Sequence, residues 1–236
     1  RISIALNPES KFRSADRIEN LSISQGSENV ESLPFVQQIV PGQSLVRTRN
    51  TSLIGKRIAQ VSVLPLVGTN LKMSGLMQNT FSLNVFMGYS YGVDALEVGG
   101  FFNIVRKNVN GVQVGGLGNF VGQDTRGVQV GGLINHNKGT LKGVQIGGLN
   151  NMLVDTLMGV QIAGVNNILD GGMKGWQVAG VNNYTTKNVD GVQIAGVTNL
   201  AADDVRMLQI AGLVNFCENV RGMQLAGLFN VAKKDV

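Results

Sequence analysis

Few side chains in this sequence could carry chemistry, and those few are scattered. The single histidine, His136, and the single cysteine, Cys217, have no partners of the right type beside them. A nucleophilic thiol needs a base or cationic neighbour to form its thiolate, and a zinc site needs further N or S ligands. His136 is therefore read as a substituted packing position, and Cys217 is not read as a nucleophile. Asp155 and the pair Asp203-Asp204 raise the possibility of calcium. The calcium-binding nonapeptide roll, however, needs Gly-Gly-x-Gly-x-Asp at every turn, and Asp does not recur here. Glycine patterns such as Gly116-Leu117-Gly118 lack the following helix of a phosphate loop. An ice-binding array would use a threonine column, which is absent. Glutamine and asparagine do recur, but amides do not titrate. The sequence predicts no catalytic residue, no cofactor, no metal and no enzymatic activity.

What the amides have instead is a beat. Gln113, Gln129, Gln145, Gln161, Gln177, Gln193 and Gln209 are spaced by sixteen, Glu97 stands one step upstream, and Gln224 follows after fifteen. Asn119, Asn135, Asn151, Asn167, Asn183, Asn199 and Asn215 keep the same step, preceded by Asn103 and followed by Asn230. Gly116, Gly132, Gly148, Gly164, Gly180, Gly196 and Gly212 never vary. An invariant Gly means either positive φ or a backbone approach that admits no Cβ. The unit reads G-V-Q-[VI]-[GA]-G-[LV]-x-N, followed by seven looser residues. Two columns of it are always aliphatic, those of Val114 and Leu117, and on that ground both are assigned to the core. After Glu97 every charged residue falls in the looser half, which reads as the exposed edge. That half also carries two softer apolar columns, those of Ile104 and Val109. Trp176 takes the place of Val in the Val112 column, either at a wider coil edge or, with Tyr184, as an exposed aromatic for ligand contact.

Composition narrows the class. Charged residues make up 15% of the chain, low against about 25% in soluble domains. The 32 glycines do not recur every third residue and the four prolines all precede residue 66, which excludes collagen. The net charge of +5 is spread without a basic block, so no nucleic-acid partner is expected. No apolar run reaches the length of a transmembrane helix.

An all-β fold follows, a parallel β-solenoid with coils of about sixteen residues in which Gln stacks on Gln and Asn on Asn. The constant period favours it, because loops between barrel strands tolerate insertions. The alternative is an antiparallel outer-membrane β-barrel with one strand per repeat. Gly116 is read as a corner between two short strands. Residues 1–57 read as an irregular linker or N-terminal segment, 58–95 as atypical capping coils, and 96–236 as the solenoid, which ends inside a coil. Leu83-Asn84-Val85 is read as an early strand start aligned with Leu96-Glu97-Val98.

The repeat resembles that of Bacteroidota-type bacterial surface-repeat proteins, whose units read GVQVAGLxN or GLQIAGxxN. Val61-Ser62-Val63-Leu64-Pro65-Leu66-Val67-Gly68-Thr69-Asn70 and Gly92-Val93-Asp94-Ala95-Leu96-Glu97-Val98-Gly99-Gly100 extend the likeness, which covers roughly 58–236. Such proteins often carry an upstream carboxypeptidase-regulatory-like or secretin/TonB short N-terminal domain, neither of which is recognisable in residues 1–50. The resemblance implies the cell envelope, at the outer membrane or cell surface, with envelope protein partners, and it brings no catalytic residues. The expected function is a rigid scaffold or docking surface in an outer-membrane assembly. The alternatives are an outer-membrane barrel, or an adhesin or glycan binder using Trp176 and Tyr184.

Overall fold

Each repeat alternates β-branched and aliphatic residues with small or amide ones, a pattern suited to pleated strands. A computed structural model describes residues 30–51 and 53–234. Each repeat forms a long strand and a short one, such as Val109–Gly115 and Gly118–Val121. Long strands pair with long strands in parallel, Gln113 beside Gln129, and short with short, Asn119 beside Asn135. The result is a parallel β-solenoid of about ten turns with two walls, which among the described residues are a twelve-stranded and a ten-stranded sheet. The barrel alternative is overturned: neighbouring repeats pair in parallel, and each contributes two strands rather than one. Among the described residues, antiparallel pairing occurs where β1 (Gly55–Leu64) turns back on β2 (Val67–Gly68) at the first edge of the long-strand sheet.

Two glycine columns shape each coil for different reasons. A Cβ on Gly116, Gly132 or Gly148 would run into the carbonyl oxygen of the equivalent glycine one coil earlier, although φ there is not positive. Close approach explains that column. Positive φ belongs to another, at Gly111, Gly127, Gly143, Gly159 and Gly175, where φ runs from 120° to 144°.

The interior reverses the core assignment made from the aliphatic columns. Val114 and its equivalents point out of the long-strand sheet, and Ile146 and Ile162 are each 38% exposed. The Leu117 column also lies outside, at the corner, with Leu133 and Leu149 exposed. The space behind them is filled by the Gln and Asn columns, completely buried from Gln113 to Gln209 and from Asn103 to Asn215. The apolar core is built from the looser half instead. Leu141, Leu157, Met173, Val189 and Val205 meet Leu153, Leu169, Ala201 and Cys217 across the coil. Strand alternation separates two faces, but it names the buried one only if the interior is apolar, and here half of it is amide.

The early coils join the same stack. Register sets Phe81-Ser82-Leu83, not Leu83-Asn84-Val85, beside Leu96-Glu97-Val98. Leu83 and Val98 then both face out while Ser82 and Glu97 face in. Residues 30–50, read as irregular, hold a 3-10 turn at Val30–Ser32 and two short helices, α1 (Pro34–Ile39) and α2 (Gly42–Asn50). Pro34 opens α1, where its missing N–H costs nothing. These elements cover the outer face of the first short strands. Val36, Val40 and Leu45 pack with Tyr89, Ile104 and Phe120. The Phe35 ring stands edge-on to Phe102 at 4.8 Å and stacks on Phe120 at 5.0 Å. No helix among the described residues is long and apolar enough to cross a membrane.

Candidate functional site: buried ladders and the faces around them

In-register stacking places every Gln amide beside the next at the strand spacing of about 4.8 Å, the right separation for amide–amide hydrogen bonds. Gln129 Nε2 donates to Gln113 Oε1 at 2.8 Å and Gln145 Nε2 to Gln129 Oε1 at 2.6 Å. The series continues through Gln161, Gln177, Gln193 and Gln209 to Gln224. Each donates toward the preceding coil. The Asn ladder runs the other way: Asn119 Nδ2 donates to Asn135 Oδ1 at 2.8 Å, and so on through Asn151, Asn167, Asn183 and Asn199 to Asn215. The same Nδ2 also donates to a long-strand carbonyl of the next coil, as Asn119 does to Val130 at 2.7 Å. Each Asn therefore ties a short strand to the long strand beside it.

The Gln ladder ends on a carboxylate. Gln113 Nε2 donates to Glu97 Oε2 at 2.8 Å, and Asn84 Nδ2 to Glu97 Oε1 at 3.1 Å. Glu97 is wholly buried, and the loss of hydration raises its pKa against the lowering effect of Gln113, Asn84 and Ser82. The aligned Gln amides present their N–H ends to it, so ladder polarity and carboxylate agree in sign.

A second buried cluster lies between α2 and the first coils, and no spacing in the sequence announces it. Glu31 is 1% exposed and accepts from Arg106 Nε at 2.6 Å, from Thr48 Oγ1 at 2.9 Å and from the Tyr89 hydroxyl. Arg106 also donates to the carbonyls of Gly75 and Thr48. Burial, then the nearby Glu31 charge, raises the Tyr89 pKa above its ordinary value. The cluster clamps the helical segment to the stack, and the Arg106 column does not mark it, since that column is variable and also holds Lys138, Asp170 and Glu218.

The remaining candidates are dispersed. His136 lies on the outer face of the short-strand sheet, its ring 6.3 Å from Phe120, beside an open cleft lined by Leu33, Asp124, Lys138 and Asp155. Burial first and Lys138 second push its pKa down to about 4. Cys217 is buried in the core, and burial raises its thiol pKa. Among the described residues no three metal-ligating side chains converge. Trp176, 52% exposed, stands on the long-strand sheet, whereas Tyr184 stands on the short-strand sheet. The two aromatics do not share a face. Comparison with protein-family models, with curated proteins and with solved structures finds no match to this chain.

Proposed function

We propose that this protein is a non-enzymatic scaffold of the bacterial cell envelope, a rigid solenoid whose outer faces dock envelope partners at the outer membrane or cell surface. The carrying observation is the division of labour within each repeat. The constant polar residues are consumed by internal ladders, while the constant aliphatic columns face outward. An interior of paired amides holds the coils in one register, and an exposed apolar face larger than a few hundred Å² marks an interaction surface. The envelope location rests on the likeness of the repeat to bacterial surface-repeat proteins. Fractionating cells and mildly cross-linking the intact envelope tests it. The protein should sediment with outer membranes and carry a covalent partner; recovery from the cytosol without a partner refutes the reading.

A glycan-binding role is the second reading, and the exposed Trp176 favours it. Binding to a glycan array that disappears in Trp176→Ala would support it. An array without signal, or a signal that survives the substitution, ends it.

A further inference from the structure

We propose that the outer face of the long-strand sheet is the docking surface for a second copy of this chain, the two solenoids lying face to face and pointing the same way. The proposal rests on the reading of the outer faces as interaction surfaces and names the occupant of one of them.

Three aliphatic columns make this face. Register runs one of them through Ala59, Phe81, Leu96, Val112, Val128 and onward to Met223. The second runs from Val61 through Val114 and Ile146 to Leu225. The third is the adjoining corner column of Leu117. Eleven strands at about 4.8 Å make the face roughly 50 Å long, and the five residue steps from the Val112 column to the Leu117 column make it roughly 15 Å wide. That is roughly 750 Å², above the largest patch of an ordinary monomer and close to the ~800 Å² each partner gives to a standard interface. Its corrugation repeats at every strand, and a second copy offers the same corrugation, coil for coil.

Size and charge select the arrangement. A two-fold axis along the Val114 column lays that column on itself and sets the Val112 column against the partner's corner column, each coil meeting its own equivalent. From Val112 onward the Val112 column has one outsized member, Trp176; Phe81 is the other large ring, in the first coils. The corner column is Phe at 101 and Leu at 117, 133, 149, 213 and 228, but Val at 165, 181 and 197. Those three smaller residues belong to the coil of Trp176 and its two neighbours, where an indole from the partner needs room. The opposite arrangement, with the axis along the strands through the central coil, would set Lys142 against its own copy. In the arrangement proposed here, the cations Arg126, Lys142 and Lys174 lie along the outer rims.

Sedimentation of the purified chain at micromolar concentrations should give twice the 25.1 kDa of one copy. Ile146→Lys, which sets two charges against each other on the axis, and Trp176→Ala should each raise the dimer Kd at least tenfold with an unchanged circular dichroism spectrum. Spin labels on Lys142→Cys and on Arg206→Cys, with the buried Cys217 left in place, should give equal distances between copies. A dimer whose two distances differ by roughly eight strand spacings, about 40 Å, overturns the parallel arrangement. A chain that stays monomeric overturns the proposal, and so does one that binds phosphatidylethanolamine–phosphatidylglycerol vesicles as a monomer. Monomeric protein that still fractionates with outer membranes refutes the dimer and leaves the scaffold reading standing.

Discussion

Gly148 has no positive φ, yet a single methyl group there would collide with the carbonyl oxygen of Gly132. Backbone cannot step aside the way a side chain can, so Gly148→Ala should cost about 2–4 kcal/mol, read as a lowered denaturant midpoint. An unchanged midpoint would mean the coils can separate locally. Two buried titratable residues set opposite pH trends. The folded pKa of Glu97 is raised above 4.5, so the folded state binds the proton more tightly. Its contribution to stability is fully present below 4.5 and is lost as pH rises through the folded pKa. Glu97→Gln, whose amide can face the Ser82 hydroxyl, should raise the melting temperature at neutral pH, and the gain should vanish in acid. The folded pKa of His136 is lowered from 6.5 to about 4. Its contribution is present above 6.5 and lost as pH falls through 4, a loss on the order of 3 kcal/mol. His136→Phe, matching Phe120 in the same column, should flatten that acid limb in a series of melts between pH 7 and 4. Both residues stand out in sequence as exceptions within a column. The burial that shifts them does not, because the direction each column faces depends on what fills the interior.

At the level of the element, two strands per repeat with a glycine corner between them were legible because sixteen-residue periodicity survives every local substitution, although their unequal lengths were not. Which face was buried was not. The Val114 and Leu117 columns carry the apolar signature of a core, while the real core uses Leu141, Leu153, Leu157 and Leu169 from the variable half. α1 and α2 were missed because six- and nine-residue helices carry too few turns for a 3.6-residue period to show. They owe their place to packing and to the Glu31–Arg106 pair, residues far apart in sequence that nothing local links. Arg106→Met strips the buried Glu31 of its closest cation and should cost about 3–5 kcal/mol, with faster proteolysis between residues 30 and 57. Replacing the pair together, Glu31→Leu with Arg106→Met, should recover much of that loss. Equal damage in the single and double variants would assign the effect to lost packing.

Taken whole, the molecule is a stack in which length comes in units. The coil that reaches Gln224 has fifteen residues, yet Gln224 still donates to Gln209 at 2.7 Å. The missing residue falls in the turn after the short strand: Asn219 meets Asp204, while Cys217 stands one full step beyond Ala201. Deleting Lys187, which sits in the equivalent turn of an earlier coil, should therefore shift the melting temperature by only a few degrees. Deleting Val178, inside a strand, turns its neighbours to the wrong face and should abolish cooperative unfolding. Removing residues 141–156 as a block should leave a folded, cooperatively melting protein one coil shorter. The opposed ladders add a consequence of a different kind. A row of amides all pointing one way is a growing dipole, as in a helix, with opposite partial charges at its two ends. Here the Gln row points its hydrogens to the start of the stack and the Asn row to its end, so the fields largely cancel. The opposition is built into every coil, so the net field of the two rows does not grow as coils are added.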